Sequence, residues 1–276
     1  MIVALDFIRL TRPYMVVCAL IAFVAGAAVS GAEFGLSQLS FGLATVLTAV
    51  AGWFVLNDVF DRERDKLNKP GRAIASGRVG VKSGALFASV LFVISLLTLL
   101  QLPSGVQIWF IGIAPILLLY SQLKVAAAWA ANVATATVGA TMALAGAAMT
   151  GQFGYSWLIA SFAFLLILGR EIVKDIEDIR GDKAVGLKTM PIVFGKRASL
   201  WAVTFLWGLV VIAIPIPYAI GIFSLGYLLL ALTAGLLLSI SLSNLNGDIN
   251  QESISRSLRL SRYGLALGVV AFTFAV

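Results

Sequence analysis

Nine stretches of this chain, at about 13–32, 38–57, 83–101, 105–121, 130–150, 155–170, 198–216, 221–243 and 263–276, carry no charge or almost none. Runs of this length match the hydrocarbon thickness of a bilayer when wound into helices, the last being short. In lipid every backbone polar group needs a partner within its own segment, so helices are the structure these runs permit. The expectation is an all-α polytopic membrane protein: nine transmembrane helices, two four-helix halves plus one, around a central cavity. Residues 1–276 are read as a single transmembrane domain. Only 12% of residues are charged and mean hydropathy is +0.99, against about 25% charged in an ordinary soluble domain. The first run follows Asp6, Arg9 and Arg12. It is too long, and lacks the cleavage site, for a signal peptide, so it is read as a retained helix.

The gaps between runs sort the charges. Two basic residues precede the first run, seven lie in 62–82, Lys124 stands alone, seven occupy 170–197 and three occupy 256–262, which accounts for all 20. The opposite gaps hold none. By the positive-inside rule the N-terminus is cytoplasmic in a multi-pass cell-membrane protein. The net charge of +7 therefore reads as topology and phosphate attraction, with no nucleic-acid partner and no obligate protein partner evident. Twelve of the 13 acids, all but Glu33, share that side. Topology rules do not require this, and an ionic site would.

The acids form two clusters, each following an uncharged run. The first is Asn57-Asp58-Val59-Phe60-Asp61-Arg62-Glu63-Arg64-Asp65. If the helix continues through it, Asn57, Asp61 and Asp65 share one stripe. The second, Arg170 to Asp182, places Glu171, Asp175, Asp178 and Asp182 at intervals of four, three and four. Asp61 and Asp178 are 117 residues apart with four helices between equivalent points, as in two halves of like orientation. One site built from both clusters is expected.

Two facing carboxylate stripes repel unless a cation lies between them. The chain has no histidine and one cysteine, Cys18, which excludes an axial imidazole on haem, imidazole-bound zinc, an imidazole base and any disulfide framework. The metal is then hard and oxygen-bound, and Mg²⁺ is favoured because it takes one or two carboxylates together with phosphate oxygens. Metal and nearby Arg or Lys would neutralise a diphosphate as its bond to carbon breaks. Arg72, Lys124 and Lys174 are placed for this. A prenyl tail would lie among the apolar helices, where the Gly- and Ala-rich stretch 126–151 leaves room between backbones or serves as packing surface. The proton released by the acceptor would go to a carboxylate, to the departing diphosphate or to water, a cluster aspartate free of metal being the first candidate.

Asn57, Asp58, Asp61 and Asp65 as N-D-x-x-D-x-x-x-D, with Asp175, Asp178, Gly181 and Asp182 as D-x-x-D-x-x-G-D, resemble the paired motifs of the UbiA superfamily of intramembrane prenyltransferases. The resemblance extends through Arg12-Pro13, the turn at 68–78, Tyr120-Ser121 with Lys124, and 189–195. One departure is Ala73, where many members carry Pro. The resemblance implies Mg²⁺ at a cytoplasmic site, with Asn57, Asp58, Asp61, Asp175 and Asp178 as metal ligands. Arg12, Arg72, Tyr120, Lys124, Asn132 and Lys174 are the substrate-binding candidates, and Asp65 and Asp182 the catalytic ones. The second motif looks most like the archaeal branch that prenylates geranylgeranylglyceryl phosphate in ether-lipid synthesis. Substrates would be a prenyl diphosphate, such as geranylgeranyl diphosphate, and a lipid acceptor, with an aromatic quinone precursor or chlorophyllide as the alternative. An ion-coupled transporter is the rival of another class. It would keep its charges near midplane on broken helices.

Overall fold

The computed structural model describes residues 2–31, 33–245 and 250–274. The chain enters through α1 (Ile2–Leu10) and α2 (Pro13–Ala28), which meet at 47°. Arg12 between them has φ +50°, and Pro13, whose missing N–H costs nothing at a helix start, opens α2. There follow α3 (Leu36–Phe60), α4 (Arg62–Asn68), α5 (Val81–Leu99), α6 (Ser104–Leu118), α7 (Tyr120–Ala126), α8 (Ala128–Ala140) and α9 (Met142–Ala147). The second half comprises α10 (Ser156–Ala184), α11 (Met190–Val193), α12 (Gly195–Ala213), α13 (Ile216–Ala219), α14 (Leu225–Ser243) and α15 (Gln251–Ala271).

Every uncharged run contains a helix, yet the expected nine membrane spans are not matched by length and hydropathy alone. Six helical spans pass that test among the described residues, or seven if the bent α1–α2 pair is one span. The physical reasons are local. The fourth run is short and carries Pro115 inside α6. The ninth begins earlier than its apolar stretch, because α15 starts at Gln251 and takes in Arg256, Arg259 and Arg262. The ends of the first and last expected runs, at 32 and 275–276, lie outside the described residues.

α3 packs against α5, α14 against α15, α2 against α3 and α9, and α10 against α8 and α12, while α15 closes the ring against α2. The backbones of α2 and α9 meet at two glycines. A Cβ on Gly26 would fall 1.9 Å from the Ala143 carbonyl oxygen, and one on Gly146 would fall 1.9 Å from that of Phe23. Here the small residues of 126–151 are packing surface, as in other helix pairs whose backbones touch. On another face, Ala134, Thr135, Val138 and Gly139 line a cavity of about 520 Å³ enclosed by the ring. Both expectations for this stretch therefore hold, on different faces.

Candidate active site

The first acidic cluster keeps its stripe across a break in the helix. Asp61 separates α3 from α4 with φ −82° and ψ 5°, but its N–H still reaches the Asn57 carbonyl at 2.9 Å, and the Asp65 N–H reaches that of Asp61 at 2.8 Å. The Asn57 amide also donates to Asp61 Oδ2 at 3.2 Å. The second cluster needs no break: α10 runs on from the apolar stretch through all of its acids to Ala184.

One asparagine fastens the two clusters together. The Asn68 amide, at the end of α4, donates to the Asp178 carbonyl at 3.0 Å and accepts from the Gly181 N–H at 2.9 Å. A Cβ on Gly181 would lie 2.4 Å from Asn68 Nδ2, so only glycine lets α4 seat there. Gly181→Ala is expected to expel the asparagine, at about 1–3 kcal/mol for an overpacked contact, and to lower kcat/KM more than tenfold. Turnover and thermal melting, compared with Gly112→Ala in the open space around that residue, check this. Equal activity of the two variants would sever the link between docking and catalysis.

Asn57, Asp61, Tyr120, Lys124, Asn132, Lys174, Asp175 and Asp178 line one polar cavity, together with Arg12 and Arg72. At about 40 Å³ it holds only a few waters. It is filled by cations: Lys124 and Arg64 each lie 2.5 Å from Asp61, and Lys69 lies 2.7 Å from Asp178. The Asn132 amide donates to Asp175 Oδ2 at 2.6 Å, and Tyr120 packs edge-on against Trp53 with Lys124 over its ring. Burial by itself would raise the Asp61 carboxyl, but Lys124 and Arg64 outweigh it and hold the group below the usual carboxylate range. This cavity adjoins the 520 Å³ apolar one, with which it shares Asn57, Tyr120, Glu171, Lys174 and the Arg12–Lys69–Arg72 group.

Three expected residues stand elsewhere. Asp58, expected as a metal ligand, lies outside the polar cavity and holds Arg12 at 2.5 Å and Arg72 at 3.3 Å. Asp65 and Asp182, expected as catalytic groups, line neither cavity. Asp65 is 1% exposed and binds Arg72 at 2.6 Å; burial there prevails over Arg72, and its carboxyl is raised. Asp182 is fully buried, with Arg64 at 3.6 Å and, among the described residues, no hydrogen bond to either oxygen. These acids stand behind the cations that face the cavity.

Arg64 and Lys69 line the polar cavity as well, and sequence reasoning missed them. The signal for Arg64 was present, since it lies three residues after Asp61 on the same face. Glu171 belonged to the second cluster but received no role; it lines both cavities and holds Lys174 at 2.7 Å.

The donor set suits a hard ion that keeps part of its water. Among the described residues no three acidic groups gather into a ready cage. Asn57 and Asp61 on one wall nevertheless face Asp175 and Asp178 on the other, and Mg²⁺ takes only one or two carboxylates when phosphate supplies the rest.

Residues 16–265 match the model of the UbiA prenyltransferase family. The chain is 32% identical to the digeranylgeranylglyceryl phosphate synthase of Hyperthermus butylicus, over 96% of this chain and 94% of the relative. It superposes with a TM-score of 0.73 at 27% identity on a structure described as a study of digeranylgeranylglyceryl phosphate synthase in membranes, covering 100% of this chain and 99% of that one. A UbiA homologue from Archaeoglobus fulgidus bound to GPP and Mg²⁺ matches with a TM-score of 0.67 at 20% identity, over 97% and 99% of the two chains.

Proposed function

The chain belongs to the UbiA prenyltransferase family, and from that premise we propose that it transfers a geranylgeranyl group from its diphosphate to the hydroxyl of geranylgeranylglyceryl phosphate. The observation that carries this reading is the junction of two spaces. A polar cavity walled by both acidic clusters adjoins an apolar one of about 520 Å³, and seven residues line both. A diphosphate joined to a long hydrocarbon has the same two parts.

Asn57, Asp61, Asp175 and Asp178 are the residues that would hold Mg²⁺, which when bound supplies positive charge to the diphosphate oxygens. Arg12, Arg72, Lys124 and Lys174 bind and orient the same group. Asp58 and Asp65 aim the arginines, and Asp182 balances Arg64. As the C1–O bond breaks, its electron pair leaves on the diphosphate. The acceptor hydroxyl oxygen bonds to C1, and its proton passes to the Glu171 carboxylate where the two cavities join. The apolar walls exclude water from the allylic carbon. We assign this site and the N-terminus to the cytoplasmic side, supported by the distribution of all 20 basic residues.

Purified protein given geranylgeranyl diphosphate, Mg²⁺ and a panel of acceptors is expected to alkylate the glyceryl phosphate lipid at least tenfold faster than any quinone-precursor or chlorophyllide acceptor. A faster aromatic acceptor would replace this reading by the second one.

A further inference from the structure

Eight basic residues line the two cavities, and six of them have a carboxylate partner within 4 Å: Arg12, Arg64, Lys69, Arg72, Lys124 and Lys174. Arg170 and Arg262 have none among the described residues. Both line the apolar cavity. Arg170 is only 6% exposed, and donates from Nη1 to the Leu258 carbonyl at 3.2 Å and to Ser261 Oγ at 3.3 Å. Its charge is thus tied to α15 by neutral groups alone. Arg262 lies one residue beyond Ser261, its guanidinium 5.8 Å from the centre of the Tyr14 ring. The Tyr14 hydroxyl donates to the Arg262 carbonyl, which fixes the turn of α15 that presents the arginine.

A buried guanidinium without a carboxylate partner, as at Arg170, is costly unless an anion completes the site; Arg262 is exposed, on the same turn of α15 that Arg170 contacts, and can add a second charge to that anion. Arginine is also the side chain whose planar fork suits phosphate. The pair does not belong to the diphosphate cavity, because neither residue lines it. Arg170 is five residues before Asp175 on α10, about 7.5 Å deeper along the helix. It is also the immediate neighbour of Glu171.

The geometry points to a second anion subsite, in which Arg170 and Arg262 bind the phosphomonoester of the acceptor. This rests on the proposed lipid-phosphate acceptor. In such a glycerol the phosphate and the free hydroxyl sit on neighbouring carbons. Anchoring the phosphate at Arg170 therefore presents the hydroxyl beside Glu171, and the acceptor's own chain follows the apolar wall. Two anions, the diphosphate and the phosphomonoester, then occupy two separate sets of cations.

The test uses Arg262→Gln, since Arg170 also joins α10 to α15 and its loss could unfold the bundle. Glycerol 1-phosphate is titrated by calorimetry into protein in phosphate-free maltoside micelles, with geranylgeranyl diphosphate and Mg²⁺ saturating the other site. Binding is expected in the wild type, about tenfold or more weaker in Arg262→Gln, and partly restored in Arg262→Lys. Separate arms use inorganic phosphate and, in nanodiscs, phosphatidic acid. Tighter binding of the glycerol ester and the lipid than of the bare ion assigns the site to a lipid phosphomonoester, and equal binding overturns that. In turnover, Arg262→Gln should raise KM for the lipid phosphate about tenfold and leave KM for the diphosphate within twofold. Absence of binding, binding unchanged in the variant, or displacement by the diphosphate would each refute the subsite. If the acceptor panel favours an aromatic compound, the proposed reaction fails while the glycerol phosphate titration still decides the anion site.

Discussion

Asp61→Ala and Asp178→Ala are each expected to lower kcat by about 10²–10³-fold or more, the loss seen when one group that stabilises developing charge is removed. The two residues come from opposite walls of one cavity, so the effect should be similar although 117 positions separate them. Asp61 neutralises Lys124 and Arg64 at once, each at 2.5 Å. Its removal leaves both cations without that partner and disperses the group that would hold metal. Breaking a buried ion pair in this way costs about 3–5 kcal/mol of stability. Asp61→Asn, which keeps the volume and the amide contact, is therefore the companion variant, and thermal melting separates lost folding from lost chemistry. Chelation by EDTA is expected to bring the wild type down to the same residual rate. Full turnover in either alanine variant, or turnover indifferent to EDTA, would remove these carboxylates from the reaction.

The parts of this site legible in sequence were those with helical spacing. Asn57, Asp61 and Asp65, and likewise Glu171, Asp175, Asp178 and Asp182, repeat at three or four residues, and a helix aligns such residues whatever else the fold does. Their meeting was also legible, since like charges on two apolar helices need a shared counter-charge. Division of labour within each stripe was not. Asp58 and Asp65 look like a metal ligand and a catalytic group in one dimension, but the turn after α4 brings Arg72 back between them, at 3.3 Å and 2.6 Å, so that each carboxylate meets an arginine. No periodicity reports where a loop returns. Asn68 went unread as the fastener for a related reason: its partner is a backbone carbonyl 110 residues away. The transporter reading loses its footing on the family match, since helix continuity speaks for only one cluster: α10 is continuous through its carboxylates, whereas the first cluster sits at the break between α3 and α4.

Glu171→Gln is expected to slow transfer by about 10²–10⁴-fold, the range for loss of a group that accepts a proton in the transition state. Among the acids that line the polar cavity, Asp61 and Asp178 are occupied by lysine or arginine there, and Asp175 by Asn132. Glu171 is held by a lysine too, Lys174, but it alone of these four acids also lines the apolar cavity, where the acceptor hydroxyl must meet C1. Glutamine keeps the shape and can still contact Lys174, but it takes up no proton. Ionisation of the diphosphate does not require a base, whereas alkylation of a hydroxyl does. The variant should therefore bind geranylgeranyl diphosphate with nearly unchanged affinity and still release diphosphate, now with the free prenyl alcohol formed by water in place of the ether. Single-turnover measurement of both products distinguishes this from a structural role, in which diphosphate release and ether formation fall together. Glu171→Asp, which retains the carboxylate on a shorter arm, should recover part of the transfer. Ether formation in Glu171→Gln at the wild-type rate would move the proton acceptor to the departing diphosphate itself.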